Sequence, residues 1–125
     1  MNRPEALMRA KYLWEVSAHI QFRDKLMYCK QLAELDVFSI SQVAKIGRID
    51  PKSLRKRGIK SRAPGGLFDA EAVSTLLLLE EQVRLGEQVS KPLIRLCVGA
   101  GCSLSVVARI IGMQVTKIYR YMEET

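Results

Sequence analysis

The feature that most constrains the fold is the C-terminal stretch, residues 104–125. Its apolar residues recur at the spacing of a helix face before and after a glycine, and they are Leu104, Val107, Ile111, Met113, Ile118 and Tyr121. A small residue, Ala108, stands where two crossing helices come closest, and Gly112 suits a turn because glycine adopts a left-handed backbone without steric cost. The pattern therefore predicts two short amphipathic helices folded across each other.

A second constraint is the distribution of charge. The chain holds 20 Lys and Arg against 13 Asp and Glu, a formal net charge of +7. Residues 45–62 account for the whole excess, because eight basic residues oppose only Asp50 there: Lys45, Arg48, Lys52, Arg55, Lys56, Arg57, Lys60 and Arg62. A cationic window this dense within a structured pattern favours a polyanionic partner over a solvated face.

A second pair of short helices is predicted within and just before this cationic window. The first helix would begin after Ser39 or Ser41. The second would begin at Asp50 and Pro51, since the carboxylate accepts free backbone N–H groups and proline suits the first turn. Leu54 is its expected buried anchor. The first helix carries Val43, Ala44 and Ile46, the turn is expected at Gly47 and Ile49, and Gly58 ends the second helix.

The segment that follows, IKSRAPGGLF, contains a Pro-Gly-Gly turn signal between β-tolerant flanks and predicts a small β-hairpin, or wing. Asp69 then caps a helix that runs to about Leu85. Four consecutive leucines in this helix predict burial on more than one side and a central position in the fold.

The remaining segments are also predicted to be helical. Residues 4–35 lack an internal Gly or Pro after the first turn and predict two helices that join near residues 22–24, with one long dimerising helix as the alternative. Ser90 and Ser103 cap two further helices, the first with a core of Leu93, Ile94, Leu96 and Val98. The predicted fold is all-α with one small β-hairpin, in three parts: residues 1–36, 37–86 and 87–125.

The order of helix, turn, helix, hairpin and helix over residues 38–80 resembles the winged helix-turn-helix of the MerR and excisionase families. The matching residues are Ile40, Val43, Ala44, Lys45, Ile46, Ile49, Leu54, Arg55, Gly58, Gly66 and Phe68. The chain departs from the family pattern at Arg48, where a turn glycine is expected, and its wing is shorter than in MerR proteins, which brings it closer to excisionase-like modules. Residues 91–123 resemble the helix-turn-helix of bacterial and phage DNA-binding proteins, whose second helix enters the major groove.

These resemblances imply a DNA-binding surface on the second helix of each pair. The alternative is that only the pair in the cationic window binds DNA, and that the C-terminal pair is a packing or dimerisation hairpin. Basic side chains neutralise phosphates, and base edges are read by arginine and by hydroxyl or amide groups. The candidate residues are Lys52, Ser53, Arg55, Lys56 and Arg57 in the first pair, Lys60 and Arg62 on the wing, and Gln114, Thr116, Lys117, Tyr119 and Arg120 in the second pair.

The predicted function is sequence-specific binding of double-stranded DNA by a small, repressor-like transcriptional regulator of the phage or mobile-element type. It would act as a monomer on an asymmetric site or as a homodimer. An excisionase, or recombination directionality factor, needs the same surface and stays an alternative. An alternative of another class is an adaptor whose basic surface docks an acidic protein.

Other classes are disfavoured. The chain has no apolar run of about 18 residues that would span a membrane, and its start lacks the features of a secretory signal. The three cysteines are odd in number and lack CxxC spacing, and His19 is the single histidine, so neither a disulfide framework nor a metal site is expected. With no catalytic pattern or phosphate-binding loop, we expect no enzyme activity, no cofactor and no small-molecule ligand, and a cytoplasmic location in a bacterium or a phage-infected host.

Overall fold

The computed structural model describes residues 2–124, and over that range the secondary structure is helical, without strands. The first and third parts predicted from the sequence include residues 1 and 125, which lie outside the described residues. The helices are α1 (Arg3–Val16), α2 (Phe22–Ala33), α3 (Ile40–Gly47), α4 (Pro51–Lys56), α5 (Val73–Arg84), α6 (Lys91–Ala100), α7 (Leu104–Ile111) and α8 (Val115–Glu123), with a 3₁₀ turn (Ala70–Ala72) before α5. The all-α prediction is confirmed. None of these helices combines the length and the apolar character that crossing a membrane requires.

The chain folds as two compact units, one ending at Gly65 and one beginning at Gly66. The sequence predicts three parts, with boundaries after residues 36 and 86, and neither boundary coincides with the one between Gly65 and Gly66. In the first unit α1, α2 and α3 pack on one another and α4 packs on α2 and α3. In the second unit α5, α6 and α7 pack on one another and α8 packs on α7. Each unit therefore consists of two supporting helices followed by a pair of short helices.

The N-terminal region forms two helices, so the alternative of one long helix is wrong. The chain leaves the helix at Ser17 and re-enters it at Phe22, at the edge of the predicted junction. Ser17 is buried, and its hydroxyl donates to the carbonyl of Trp14 (3.3 Å). The break lets α2 fold back on α1, and the two helices pack on each other with Leu7, Leu13, Cys29 and Leu32 buried.

The predicted β-hairpin wing is wrong, because residues 59–68 form no strand. Their polar groups bond to the loop between α2 and α3 instead. The Ser61 hydroxyl donates to the carbonyl of Phe38 (2.7 Å), and the N–H of Arg62 donates to the carboxylate of Asp36 (2.8 Å). The backbone N–H of Arg62, bonded in this way, cannot join the cross-strand ladder that a hairpin requires. The segment is an irregular connector, and its two apolar ends, Ile59 and Phe68, are buried.

Two expectations about the core of the second unit are also corrected. In α5 only Leu76 and Leu79 of the four leucines are fully buried, and in α6 the fully buried residues are Ile94 and Cys97. Residues three apart share a helix face, whereas adjacent residues diverge by about 100°. A run of apolar residues therefore cannot all face one core. The exposed members are Leu78 (51%), Leu96 (60%) and Val98 (46%).

Cys29, Cys97 and Cys102 are buried, as expected of small core residues. Burial raises the pKa of the Cys29 thiol to about 11, although the charge of Lys25 lowers it in part. Burial, with a smaller contribution from Cys102, raises the pKa of the Cys97 thiol to about 12. Within residues 2–124 no cluster of His, Cys, Asp and Glu has the arrangement of a metal site.

The raised pKa values predict slow thiol chemistry, because only the thiolate is nucleophilic. We expect Cys29 and Cys97 in the native protein to react with Ellman's reagent far more slowly than in urea. Unfolded thiols ionise near pH 9.0 and these folded ones near pH 11 to 12, so stability should fall as the pH rises above 9.0. Native labelling at the unfolded rate would contradict this prediction.

Gly47 allows α3 to approach α2 closely, since a Cβ at this position would lie 2.4 Å from the Sγ of Cys29. We expect Gly47→Ala to lower the free energy of unfolding by about 1–3 kcal/mol, the usual cost of overpacking. Gly99→Ala is the matched control, because Gly99 is also helical and a Cβ there meets no atom within 4 Å. The control should be neutral or gain up to about 1 kcal/mol from helix propensity. Urea unfolding followed by circular dichroism measures both, and equal effects would show that close packing is not the role of Gly47.

Candidate nucleic-acid interface

The two pairs of short helices begin in the same way. The Ser39 hydroxyl accepts the N–H of Gln42 (3.3 Å) at the start of α3, and the Ser103 hydroxyl accepts the N–H of Val106 (3.2 Å) at the start of α7. In the first pair the Gln42 side chain also accepts the N–H of Ser39 (2.9 Å), which completes a capping box. Of the two serines predicted to cap α3, Ser39 is therefore the cap.

The turns of the two pairs also match. Arg48 and Gly112 both have a left-handed backbone, with φ of 54° and 87°. The next residue donates its N–H to a carbonyl five residues earlier, and the N···O distances are 3.0 Å to Ala44 and 2.9 Å to Ala108. This bond is the signature of a Schellman motif, which ends a helix and reverses the chain.

One side chain on the second helix of each pair is fully buried, Leu54 in α4 and Ile118 in α8. In α4 the other predicted DNA-binding residues are exposed except Ser53, which is half-buried. Asp50 caps α4 as predicted, because its carboxylate accepts the N–H of Lys52 (2.8 Å). The candidates on the connector, Lys60 and Arg62, are exposed as well, although the connector is not a wing.

Arg57 differs from its neighbours because it is bonded within the first unit. Its Nη1 donates to the carbonyl of Ser53 (3.0 Å), and its guanidinium lies 5.2 Å from the ring centre of Phe22. Arg57 is therefore partly engaged by its own unit.

The second pair exposes all five of its predicted residues, Gln114, Thr116, Lys117, Tyr119 and Arg120. Gln114 precedes α8 in an extended conformation, and its side chain makes no capping bond. Tyr121 ties α8 to its unit, because its hydroxyl donates to the carbonyl of Val89 and Lys91 Nζ lies 4.7 Å from its ring centre. Lys117 and Tyr121 also line a groove of about 340 Å³ beside the loop between α5 and α6.

The equivalent residues of the two pairs are separated by a constant 64 positions. The predictions from the sequence do not include this internal repeat. It can be found in the sequence by comparing residues 39–57 with residues 103–121. Five positions are identical: Ser39 and Ser103, Ser41 and Ser105, Val43 and Val107, Ala44 and Ala108, and Ile46 and Ile110. The repeat equates position 52 with 116, 53 with 117, 55 with 119 and 56 with 120.

Arg48 belongs to the cationic window of residues 45–62, but its guanidinium has a structural role. The guanidinium carbon lies 3.6 Å from the ring centre of Trp14, Nε donates to the Ser17 hydroxyl (2.9 Å), and Nη2 donates to the carbonyl of Trp14 (3.3 Å). These contacts join the turn of the first pair to the C-terminal end of α1. They also offset the cost of a left-handed backbone at a residue with a side chain, about 1–2 kcal/mol.

Two substitutions separate these contributions of Arg48. Arg48→Ala loses the contacts and keeps the backbone strain, so we expect a loss of about 1–3 kcal/mol in the free energy of unfolding. Arg48→Gly loses the same contacts but relieves the strain, and its loss should be smaller by about 1 kcal/mol. The fluorescence of Trp14, the single tryptophan, should change in both variants and reports urea unfolding. Arg55→Ala, an exposed control, should stay within about 0.5 kcal/mol of the wild type; equal stability of all three variants would contradict the role of Arg48.

Comparisons of the chain with known protein families, with curated proteins and with solved structures give no match. The local geometry of the two helix pairs and the chemistry of their exposed residues therefore carry the functional argument. The resemblance to the helix-turn-helix families rests on the residues quoted above, without the wing.

Proposed function

We propose that the chain is a sequence-specific double-stranded DNA-binding protein, a small transcriptional regulator of the repressor type, in which α4 and α8 enter the major groove. The observation that carries this proposal is the shared construction of the two pairs. Each has a capped first helix, a left-handed turn and a second helix with one fully buried anchor. Such a regulator would act in the bacterial cytosol or in a phage-infected host.

The anchors determine which side chains are available to DNA. Residues two positions before or after the anchor point about 160° away from it, because successive helix residues rotate by about 100°. These positions are Lys52 and Lys56 around Leu54, and Thr116 and Arg120 around Ile118. All four are exposed. A helix held along one side in this way can place its opposite side in a major groove.

The charge of the first pair supports a nucleic acid over other partners. Lys52, Arg55 and Lys56 are exposed on one short helix, and Lys60 and Arg62 follow on the connector. Asp50 is the acidic residue nearest to these cations in the sequence, and its carboxylate caps α4 by accepting the N–H of Lys52. Cations at this density neutralise phosphates and release counterions, which favours binding at low salt.

The differences between α4 and α8 support an asymmetric target. The equivalent exposed positions carry Lys52 and Thr116, and Lys56 and Arg120, so the two helices would present different side chains to DNA. A single chain with two such helices therefore suits a site of two unlike halves, read without dimerisation.

The test is selection of duplexes from a random pool, followed by a salt series of binding to the selected duplex and to a scrambled duplex. We expect the wild type to prefer the selected duplex by at least about 1000-fold, as specific DNA-binding proteins do. Arg55→Ala/Lys56→Ala and Lys117→Ala/Arg120→Ala should each weaken binding by at least about tenfold, because each pair removes two groups that contact DNA.

The control is Lys11→Ala/Lys30→Ala, which removes two exposed or half-exposed cations from the supporting helices α1 and α2. It should leave DNA binding nearly unchanged. If the wild type ignores all duplexes at physiological salt, the proposal is wrong, and an acidic protein partner becomes the explanation of the cationic window.

A further inference from the structure

The second helices of the two pairs differ in chemistry at the positions that point away from their anchors. In α4 these positions carry two lysines, Lys52 and Lys56, whereas in α8 they carry Thr116 and Arg120. Because the turns and the buried anchors match, the two helices present these side chains in the same way relative to their anchors. The difference between them is therefore chemical.

A lysine ammonium is a compact, strongly hydrated point charge without a fixed donor geometry, so it distinguishes a guanine edge from a phosphate less strictly than a guanidinium does. An arginine guanidinium is a planar fork that pairs with two acceptors of guanine, and a threonine contributes a hydroxyl and a methyl group that contact base edges. On this chemistry α4 is suited to phosphate and α8 is suited to bases.

The residues next to these positions agree with the division. Asp50 begins α4 with a carboxylate already bonded to the N–H of Lys52, whereas the equivalent Gln114 is exposed and its amide makes no capping bond. A free glutamine amide pairs with adenine through two hydrogen bonds.

We infer that the two helices divide the work of recognition: α8 discriminates between base sequences through Thr116 and Arg120, and α4 anchors the protein to phosphates through Lys52 and Lys56. This inference rests on the proposed function and deepens it, because it assigns specificity to one of two helices.

The experiment compares conservative variants on the selected and scrambled duplexes over a range of salt. Arg120→Lys keeps the charge and removes the fork, so the preference for the selected duplex should fall by about 5- to 150-fold while the salt slope stays constant. Thr116→Ala should also reduce the preference without changing the slope. Lys52→Gln/Lys56→Gln should weaken binding to both duplexes by the same factor and reduce the slope by about 2.

The matched control is Arg23→Lys, the same substitution at an exposed position of the supporting helix α2. We expect it to leave both the affinity and the preference unchanged. Arg55→Lys makes the same substitution on α4 and tests whether α4 also reads bases. If Arg55→Lys or Lys52→Gln/Lys56→Gln lowers the preference as much as Arg120→Lys does, the division of labour is wrong while the proposed function stands. If the wild type shows no preference between the duplexes, both are wrong. Circular dichroism of each variant confirms folding, which exposed positions should leave intact.

Discussion

The second helix of each pair is held by one fully buried side chain, Leu54 or Ile118, placed directly after a turn with a left-handed residue. Helices as short as α4 and α8 are not stable alone, because nucleation costs more than a few hydrogen bonds return. Their existence therefore depends on the turn that aims them and on the anchor that docks them. Because the anchor occupies one side only, the opposite side is available for polar chemistry without cost to the core.

The two turns reach the same backbone conformation by different means. Gly112 adopts it without a Cβ penalty, whereas Arg48 adopts it while its guanidinium stacks on Trp14 and bonds to Ser17. Arg48 is therefore one of the eight basic residues of 45–62, but its side chain makes contacts within the fold. Arg57 is similarly engaged by Phe22 and by the carbonyl of Ser53. The cationic surface offered to a partner is therefore smaller than the count of basic residues indicates.

Signals that act within a few residues were read correctly from the sequence. The caps at Asp50 and Ser90 and the turn at Gly112 each depend on neighbours within one or two helical turns. The predicted hairpin is wrong because residues 59–68 form hydrogen bonds with residues that are distant in the sequence. Ser61 bonds to Phe38, 23 positions away, and Arg62 bonds to Asp36, 26 positions away. No local turn signal carries that information.

The sequence by itself determined the all-helical class, the positions of the short helices and the set of exposed polar candidates, because helical periodicity and capping are local properties. The tertiary structure decided which apolar residues of α5 and α6 are buried, that residues 59–68 form a connector, and that Arg48 stacks on Trp14 across 34 positions. The structure also shows how the two pairs correspond. Their turns and buried anchors match, so positions 52 and 116 lie at the same place relative to the anchor. Burial and long-range hydrogen bonds depend on which helices meet, and that is a property of the packed chain.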